Sequence, residues 1–256
     1  MNARFGAGCY TLFAKELLRF WKVAFQTLAA PVLTALLYLL IFGHVLQDRV
    51  PPTHGVDYVT FLVPGLAMMS ILQNAFSNSS SSLIQSKVTG NLVFVLLSPL
   101  NAGEMLLAYT AASVIRGLAV GVMVLLVGLL FSGMPLEHPV WALTFALVGS
   151  ALMGVFGIIA GLVAEKFDEL AAFQNFVVMP LTFLAGVFYS TESLPPVWRT
   201  LSHFNPFFYL VDGFRYGFLG ASDVDPWSNL AAVVLALTAL AVYTLHFLAK
   251  GRRLRH

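Results

Sequence analysis

The chain has 256 residues, of which 59% are hydrophobic and only 10% charged. A soluble domain is nearer half apolar and a quarter charged, so the composition excludes a water-soluble enzyme and implies a polytopic membrane protein. The net charge of +2 points to no nucleic-acid partner, and a single cysteine, Cys9, rules out an intrachain disulfide or a cysteine-rich metal site.

Residues 10–22 have helical periodicity. Thr11, Lys15, Arg19 and Lys22 form one polar stripe, and Tyr10, Phe13, Leu17, Phe20 and Trp21 take the opposite arc. A basic stripe against an aromatic face predicts a helix lying in the headgroup layer, in contact with membrane lipids. The same charges interrupt the apolar core that a cleaved signal peptide needs.

Six apolar stretches follow, at 23–46, 58–76, 105–131, 140–164, 171–188 and 230–249. Each approaches the roughly 20 residues that cross about 30 Å of hydrocarbon. Pro31, Pro64 and Pro180 fall inside them, which a bilayer helix tolerates where neighbours satisfy the freed carbonyl. The fold expected is an all-α membrane protein with six transmembrane helices in one domain, 1–256. Orientation follows from the basic residues. Arg4, Lys15, Arg19, Lys22, Lys87, Lys166, Lys250, Arg252, Arg253 and Arg255 fall on one side, against Arg49, Arg199 and Arg215 on the other. Both termini are therefore expected in the cytoplasm.

Between the second and third spans lies a cytoplasmic segment, 77–104. Its apolar run Leu92–Leu97 is punctuated by Gly90-Asn91 and Ser98-Pro99, too soon for a crossing helix. Such a run lies along the membrane surface, packs on its own chain or is covered by another protein. The third and fourth spans carry small residues at helical spacing: Ser113, Gly117, Gly121 and Gly128, then Ser150, Gly154, Gly157 and Gly161. These predict a tight hairpin of two closely approaching helices.

The segment 190–227 is too apolar for a free loop, and Asn205-Pro206 breaks it into two short helices. An outer re-entrant helix pair is expected there, buried in protein or lining a watery cavity. Phe204, Phe207, Phe208 and Tyr209 around that break either line an outer gate or anchor at the interface.

Arg116 lies near the middle of the third span, where a charge must face the bundle interior, a partner group or water. It either contacts an anionic substrate group or pairs with a polar side chain of another span. Gln73, Asn74, Ser77 and Asn78 in the second span, with Gln174 and Asn175 in the fifth, either line a translocation path or bond helix to helix. Asp168 is placed to cap the fifth span. Ser190, His203 and Asp212 lack the Gly-x-Ser-x-Gly turn of a nucleophile. The six histidines have no metal-ligand spacing, and no Gly-x-x-x-x-Gly-Lys-Ser/Thr loop is present to cradle phosphates.

Several stretches in order carry a resemblance. They are Lys15-Glu16 with Arg19-Phe20; Gln26-Thr27-Leu28 with Pro31; Val63-Pro64-Gly65-Leu66 with Met68-Met69-Ser70; and Gly90-x-Leu92 with Leu96-Leu97-Ser98-Pro99-Leu100 and Glu104. Later come Gly186-Val187-Phe188-Tyr189-Ser190, Leu194-Pro195-Pro196, Asn205-Pro206 and Gly213-Phe214-Arg215-Tyr216-Gly217. The chain resembles the permease subunit of type 2 ABC exporters, and in particular the YadH-like bacterial inner-membrane permeases. The resemblance implies a homodimer bound to two copies of a separate ATP-binding subunit, which carries the ATP and Mg; this chain would hold no cofactor and be no enzyme. The short apolar segment would dock on that subunit through Lys87, Gly90, Leu92, Leu96, Leu97, Ser98 and Pro99. A lipid, glycan or drug-like substrate would leave across the inner membrane. Family members often carry several charges at the docking segment, whereas here Lys87 stands alone, so a mostly hydrophobic contact is expected. The rival is an ion-gradient-driven secondary transporter, which calls for midplane acidic or histidine groups and two similar halves; the sequence offers neither.

Overall fold

Long apolar runs satisfy their backbone internally only as helix or closed barrel when water is absent, and this chain takes the helical solution. The computed structural model describes residues 6–46, 52 and 55–253, and among them there is no β-strand. The helices are α1 (Ala7–Lys22), α2 (Ala24–Leu46), α3 (Tyr58–Val88), α4 (Leu92–Leu97), α5 (Ala102–Gly128) and α6 (Pro139–Val163). Next come α7 (Phe167–Phe173), a π turn (Gln174–Val178), α8 (Met179–Phe183), a 3-10 turn (Thr191–Ser193), α9 (Pro196–His203), α10 (Pro206–Leu219) and α11 (Pro226–Arg253). Arg4, Arg49 and Arg255, three of the charges that orient the chain, lie outside the described residues.

Five of these helices are long and apolar enough to cross a membrane: Ala24–Gly43, Tyr58–Val88, Ala102–Gly128, Pro139–Val163 and Pro226–Lys250. The stretch expected as a fifth span differs. It is helical only from Phe167 to Phe183, with a π turn in the middle, and leaves helical form before residue 188. Pro180 explains the irregularity. It has no N–H to donate and its ring crowds the carbonyl one turn back, and widening the preceding turn relieves that clash.

The centre of the molecule is α3, with 89% of its most apolar window inside the protein against 17% for α2 and 11% for α11. Small residues let its neighbours reach it. A Cβ added at Gly157 would lie 2.4 Å from the Phe76 carbonyl oxygen, and one at Gly161 would lie 2.8 Å from the Leu83 Cβ. The expected α5–α6 hairpin is therefore only part of the packing. Gly154 does meet Ser113, but Gly121 and Gly128 on α5 face α3 residues Ile71 and Val63. The three helices make one core.

The two ends of the bundle are distinct. At one, the backbone N–H groups of Glu137 and His138 donate to the Phe218 and Gly217 carbonyls, joining the α5–α6 loop to α10. At the other, α1 packs on the start of α5. The stripe on α1 differs from the expected one. Leu12, Glu16 and Phe20 are buried, while Tyr10 and Trp21 face outward at 71% and 76% exposure. Arg19, expected on the exposed stripe, turns inward. It pairs with Glu16 at 3.2 Å and donates to the Asn78 carbonyl at 2.6 Å and to Ser81 at 3.1 Å. A buried carboxylate needs both charge and hydrogen-bond compensation, and Ser82 supplies the remainder at 2.7 Å. The helix is thus clamped to α3.

Candidate functional site

The end that carries α1 also carries α4. The chain leaves α3 through Gly90, whose φ of +72° is the left-handed conformation that glycine adopts without a Cβ clash. It re-enters helix at Leu92. Apolar residues on α4 divide between two faces. Leu92 and Val95 pack inward on a cluster with Leu12, Leu83 and Leu100. Val93, Phe94 and Leu97 project outward at 56%, 72% and 71% exposure. Leu96 lies in α4 with its side chain outside the described residues. Of the residues expected to form a docking surface, Gly90, Leu97 and Pro99 are exposed and Ser98 is half-buried, its hydroxyl donating to the Val95 carbonyl. Leu92 turns inward instead, because a six-residue helix lying on the bundle must bury one face.

Lys87 is also turned away from that surface. Its ammonium donates to the Leu162 carbonyl and, at 2.7 Å, to that of Ala164. The last carbonyls of a helix have no internal partner and carry partial negative charge; Lys87 satisfies them at the end of α6. The outward face of α4 is therefore apolar.

The segment after α4 is held by a capping box. The Asn101 side chain accepts from the Glu104 N–H at 2.7 Å, and Glu104 Oε2 accepts from the Asn101 N–H at 2.8 Å. The other oxygen of Glu104 accepts from the Gly6 N–H at 3.1 Å. One carboxylate thus joins the start of α5 to the start of α1.

A cleft of about 410 Å³ opens from the flank of the core. Arg116 of α5 lines it together with Gln73, Asn74 and Ser77 of α3. Gln26 and Thr27 face it from α2, and Gln174, the first residue of the π turn, closes one side. Of the polar residues considered for a path, Arg116, Gln73, Asn74, Ser77 and Gln174 line this one cleft, whereas Asn78 is buried and donates to Ser113 and Asn175 is exposed. Arg116 donates to Asn74 Oδ1 at 3.4 Å, while its Nε is buried without a hydrogen-bond partner. Among the described residues it forms no ion pair. A charge at that depth requires polar surroundings, and the amides and hydroxyls of the cleft supply them.

The sequence matches the family model for the ABC-2 type transporter over residues 7–219. The chain belongs to the ABC-2 type transporter family. It is 39% identical over 248 residues to the inner membrane transport permease YadH of Escherichia coli strain K12, covering 96% of both chains. Nodulation protein J of Rhizobium leguminosarum bv. trifolii is 25% identical over 224 residues, 84% of this chain and 82% of that one. This ABC-2 type permease is accordingly a multi-pass membrane transport subunit rather than a member of an enzyme family.

In this ABC-2 type permease the opposite end of the bundle holds a second polar system. The break at Asn205-Pro206 is as the sequence predicts. Asn205 Oδ1 accepts from the Phe207 N–H at 3.0 Å, its Nδ2 donates to the Leu181 carbonyl at 2.6 Å, and Pro206 takes the first helical position. The gate residues separate: Phe204 is 83% exposed, Phe207 is in the core, and Tyr209 donates to the His203 carbonyl at 2.7 Å. The first turn of α10 points Phe207 into the core, beside Leu210 and Val211 of the same helix in one buried cluster. Ser190, His203 and Asp212 are not brought together. Ser190 donates to Asp223 at 2.8 Å, His203 bonds the Arg199 carbonyl, and Asp212 accepts from the Asp223 and Val224 N–H groups.

Three features of this permease escaped the sequence. Arg215, counted among loop charges, is 2% exposed and donates to the Gly186 carbonyl at 2.8 Å. Asp168 leaves the start of α7 uncapped; Glu169 instead accepts from the Glu165 N–H at 2.8 Å. Phe94, a plain apolar letter within the run, is the most exposed described residue of α4.

Proposed function

We propose that this chain is the permease half of an ATP-driven exporter, a homodimer served by two copies of a separate ATPase that brings its own ATP and Mg. The observation that carries the reading is the outward apolar face of α4, Val93, Phe94 and Leu97, held on a rigid support. Apolar side chains on a polar rim at headgroup depth mark a surface that another protein covers. Glu104 and Lys87 fix that surface to α1, α5 and α6, so a push on α4 reaches the core.

The chain then crosses the inner membrane six times with both termini in the cytoplasm, α7 and α8 supplying the broken fifth crossing. The pair α9–α10 dips into the outer leaflet; at 14 residues α10 is about 21 Å long, too short to span. The Arg116 cleft forms one wall of the path, and a lipid, glycan or drug-like substrate moves outward along it.

Phe94→Asp and Leu97→Asp place a charge on the docking face without touching the core. Either is expected to abolish co-purification of an ATPase from native membranes while the permease still elutes as a folded species. Retention of the ATPase by both variants would remove α4 from the contact, and a wild-type permease that never carries an ATPase under gentle extraction would remove the reading.

A further inference from the structure

A second cavity, of about 430 Å³, opens between α1 and the last turns of α3, at the end of the bundle that carries α4. One wall is basic and comes from α1: Lys15, Arg19 and Lys22. The facing wall brings the amides of Gln85 and Asn91 and the hydroxyl of Ser86. The carboxylate beside it, Glu16, is fully buried and already engaged by Ser82, Lys15 and Arg19. Three cations therefore meet one carboxylate, and among the described residues Lys22 forms no ion pair. Such a wall suits an anion with several acceptor oxygens, which charged donors bind most strongly.

The rim identifies what carries the anion. Leu18 lines the cavity and is 63% exposed, and Trp21 and Phe25, which flank Lys22 in the chain, stand exposed at 76% and 87%. A soluble anion makes no use of an aromatic and aliphatic strip at this depth, whereas a phospholipid lays its acyl chain there while its phosphate enters the cavity. We propose that this cavity is a binding site for the phosphate headgroup of an anionic phospholipid, held by Lys15 and Lys22 with Gln85, Ser86 and Asn91 as neutral donors. Asn91 is the residue from which α4 starts, so a bound lipid braces the coupling helix from the membrane side.

Trp21 is the probe. The chain has four tryptophans, and Trp141, Trp198 and Trp227 belong to the other end of the bundle, where Trp141 and Trp227 pack together. The full-length permease is reconstituted in phosphatidylcholine vesicles containing brominated phosphatidylglycerol or, at matched mole fraction, brominated phosphatidylcholine. The Trp21 signal is isolated by difference from Trp21→Phe. Each lysine near an anionic lipid contributes about a factor of five, so half-quenching is expected at a mole fraction at least about fivefold lower for the brominated phosphatidylglycerol. The Lys15→Gln/Lys22→Gln variant is expected to lose that preference, and Lys22→Gln alone, at an exposed residue with no ion pair among the described residues, to reduce it with no cost in folding.

Equal quenching by the two lipids would overturn the site, as would a preference that survives in the double variant. A preference erased by millimolar inorganic phosphate would reassign the cavity to a free anion and overturn the lipid. The readout needs neither ATP nor a partner, so it stands apart from the docking of an ATPase on α4.

Discussion

The guanidinium carbon of Arg215 lies 3.8 Å above the centre of the Phe61 ring. The contact ties α10 to α3, and a hydrogen bond from the same guanidinium to the Gly186 carbonyl adds the chain that follows α8. Beside them Tyr58 donates to the Phe188 carbonyl at 3.1 Å. A Cβ at Gly65 would sit 2.6 Å from the Val187 carbonyl oxygen, so this segment runs against α3 with no room to spare. The carbonyls of Gly186, Val187 and Phe188, in the non-helical backbone that follows α8, are thus answered from within the protein.

The Arg215–Phe61 pair is expected to be energetically coupled. A desolvated cation over an aromatic face contributes about 2 kcal/mol, and loss of the buried guanidinium also leaves the Gly186 carbonyl unpaired, at about 1–3 kcal/mol. Phe61→Leu should therefore lower stability modestly, Arg215→Met more, and the double variant by less than the sum. Thermal unfolding of the four proteins in detergent measures the cycle, and additivity within about 0.5 kcal/mol would show that the stacking contributes nothing.

Asp223 gives this end of the molecule a pH dependence. Burial works to raise its carboxyl, but hydrogen bonds from Thr191 and Ser190 and the charge of Arg215 outweigh it and hold the group below the usual carboxylate range. Because the folded value lies below the unfolded one, the native state binds fewer protons. The stabilisation is complete above the unfolded pKa of about 3.9 and is lost as the pH falls through the folded value. The melting temperature of the wild type should converge on that of Asp223→Asn as the pH drops below about 4; a constant gap between the two would contradict it.

Packing at the core should be unforgiving in one place and indifferent in another. At Gly157 a methyl would meet the Phe76 carbonyl, and helix backbone cannot give way as a flexible side chain does. Gly157→Ala is expected to cost about 1–3 kcal/mol. Gly133 has nothing within 4 Å of its added Cβ, and Gly133→Ala should change stability by less than about 0.5 kcal/mol. The two melting temperatures in the same detergent decide it.

The sequence by itself determined the architecture, through composition and chain order. Long apolar runs of this length favour helix in a bilayer, so the all-helical fold and five of the six expected long helices were legible, with the short α4 and the break at Asn205-Pro206. That Arg116, Gln73, Asn74 and Gln174 would lie near one another was also legible, because polar groups in an apolar span must gather. Only the tertiary structure decided which way each side chain turned. Arg19 and Arg215 read as surface charge, yet both turn inward, because partners far along the chain at Asn78, Ser81, Phe61 and Gly186 make burial tolerable. Lys87 looked like part of a docking face until the end of α6 arrived beside it. Leu92 and Phe94 fall on opposite faces of α4, and because both faces are apolar the run does not say which is buried; the packing of α4 on Leu12 and Leu100 assigns Leu92 to the core and Phe94 to the exterior. Periodicity is local, whereas the charge and volume that select a face come from residues dozens of positions away.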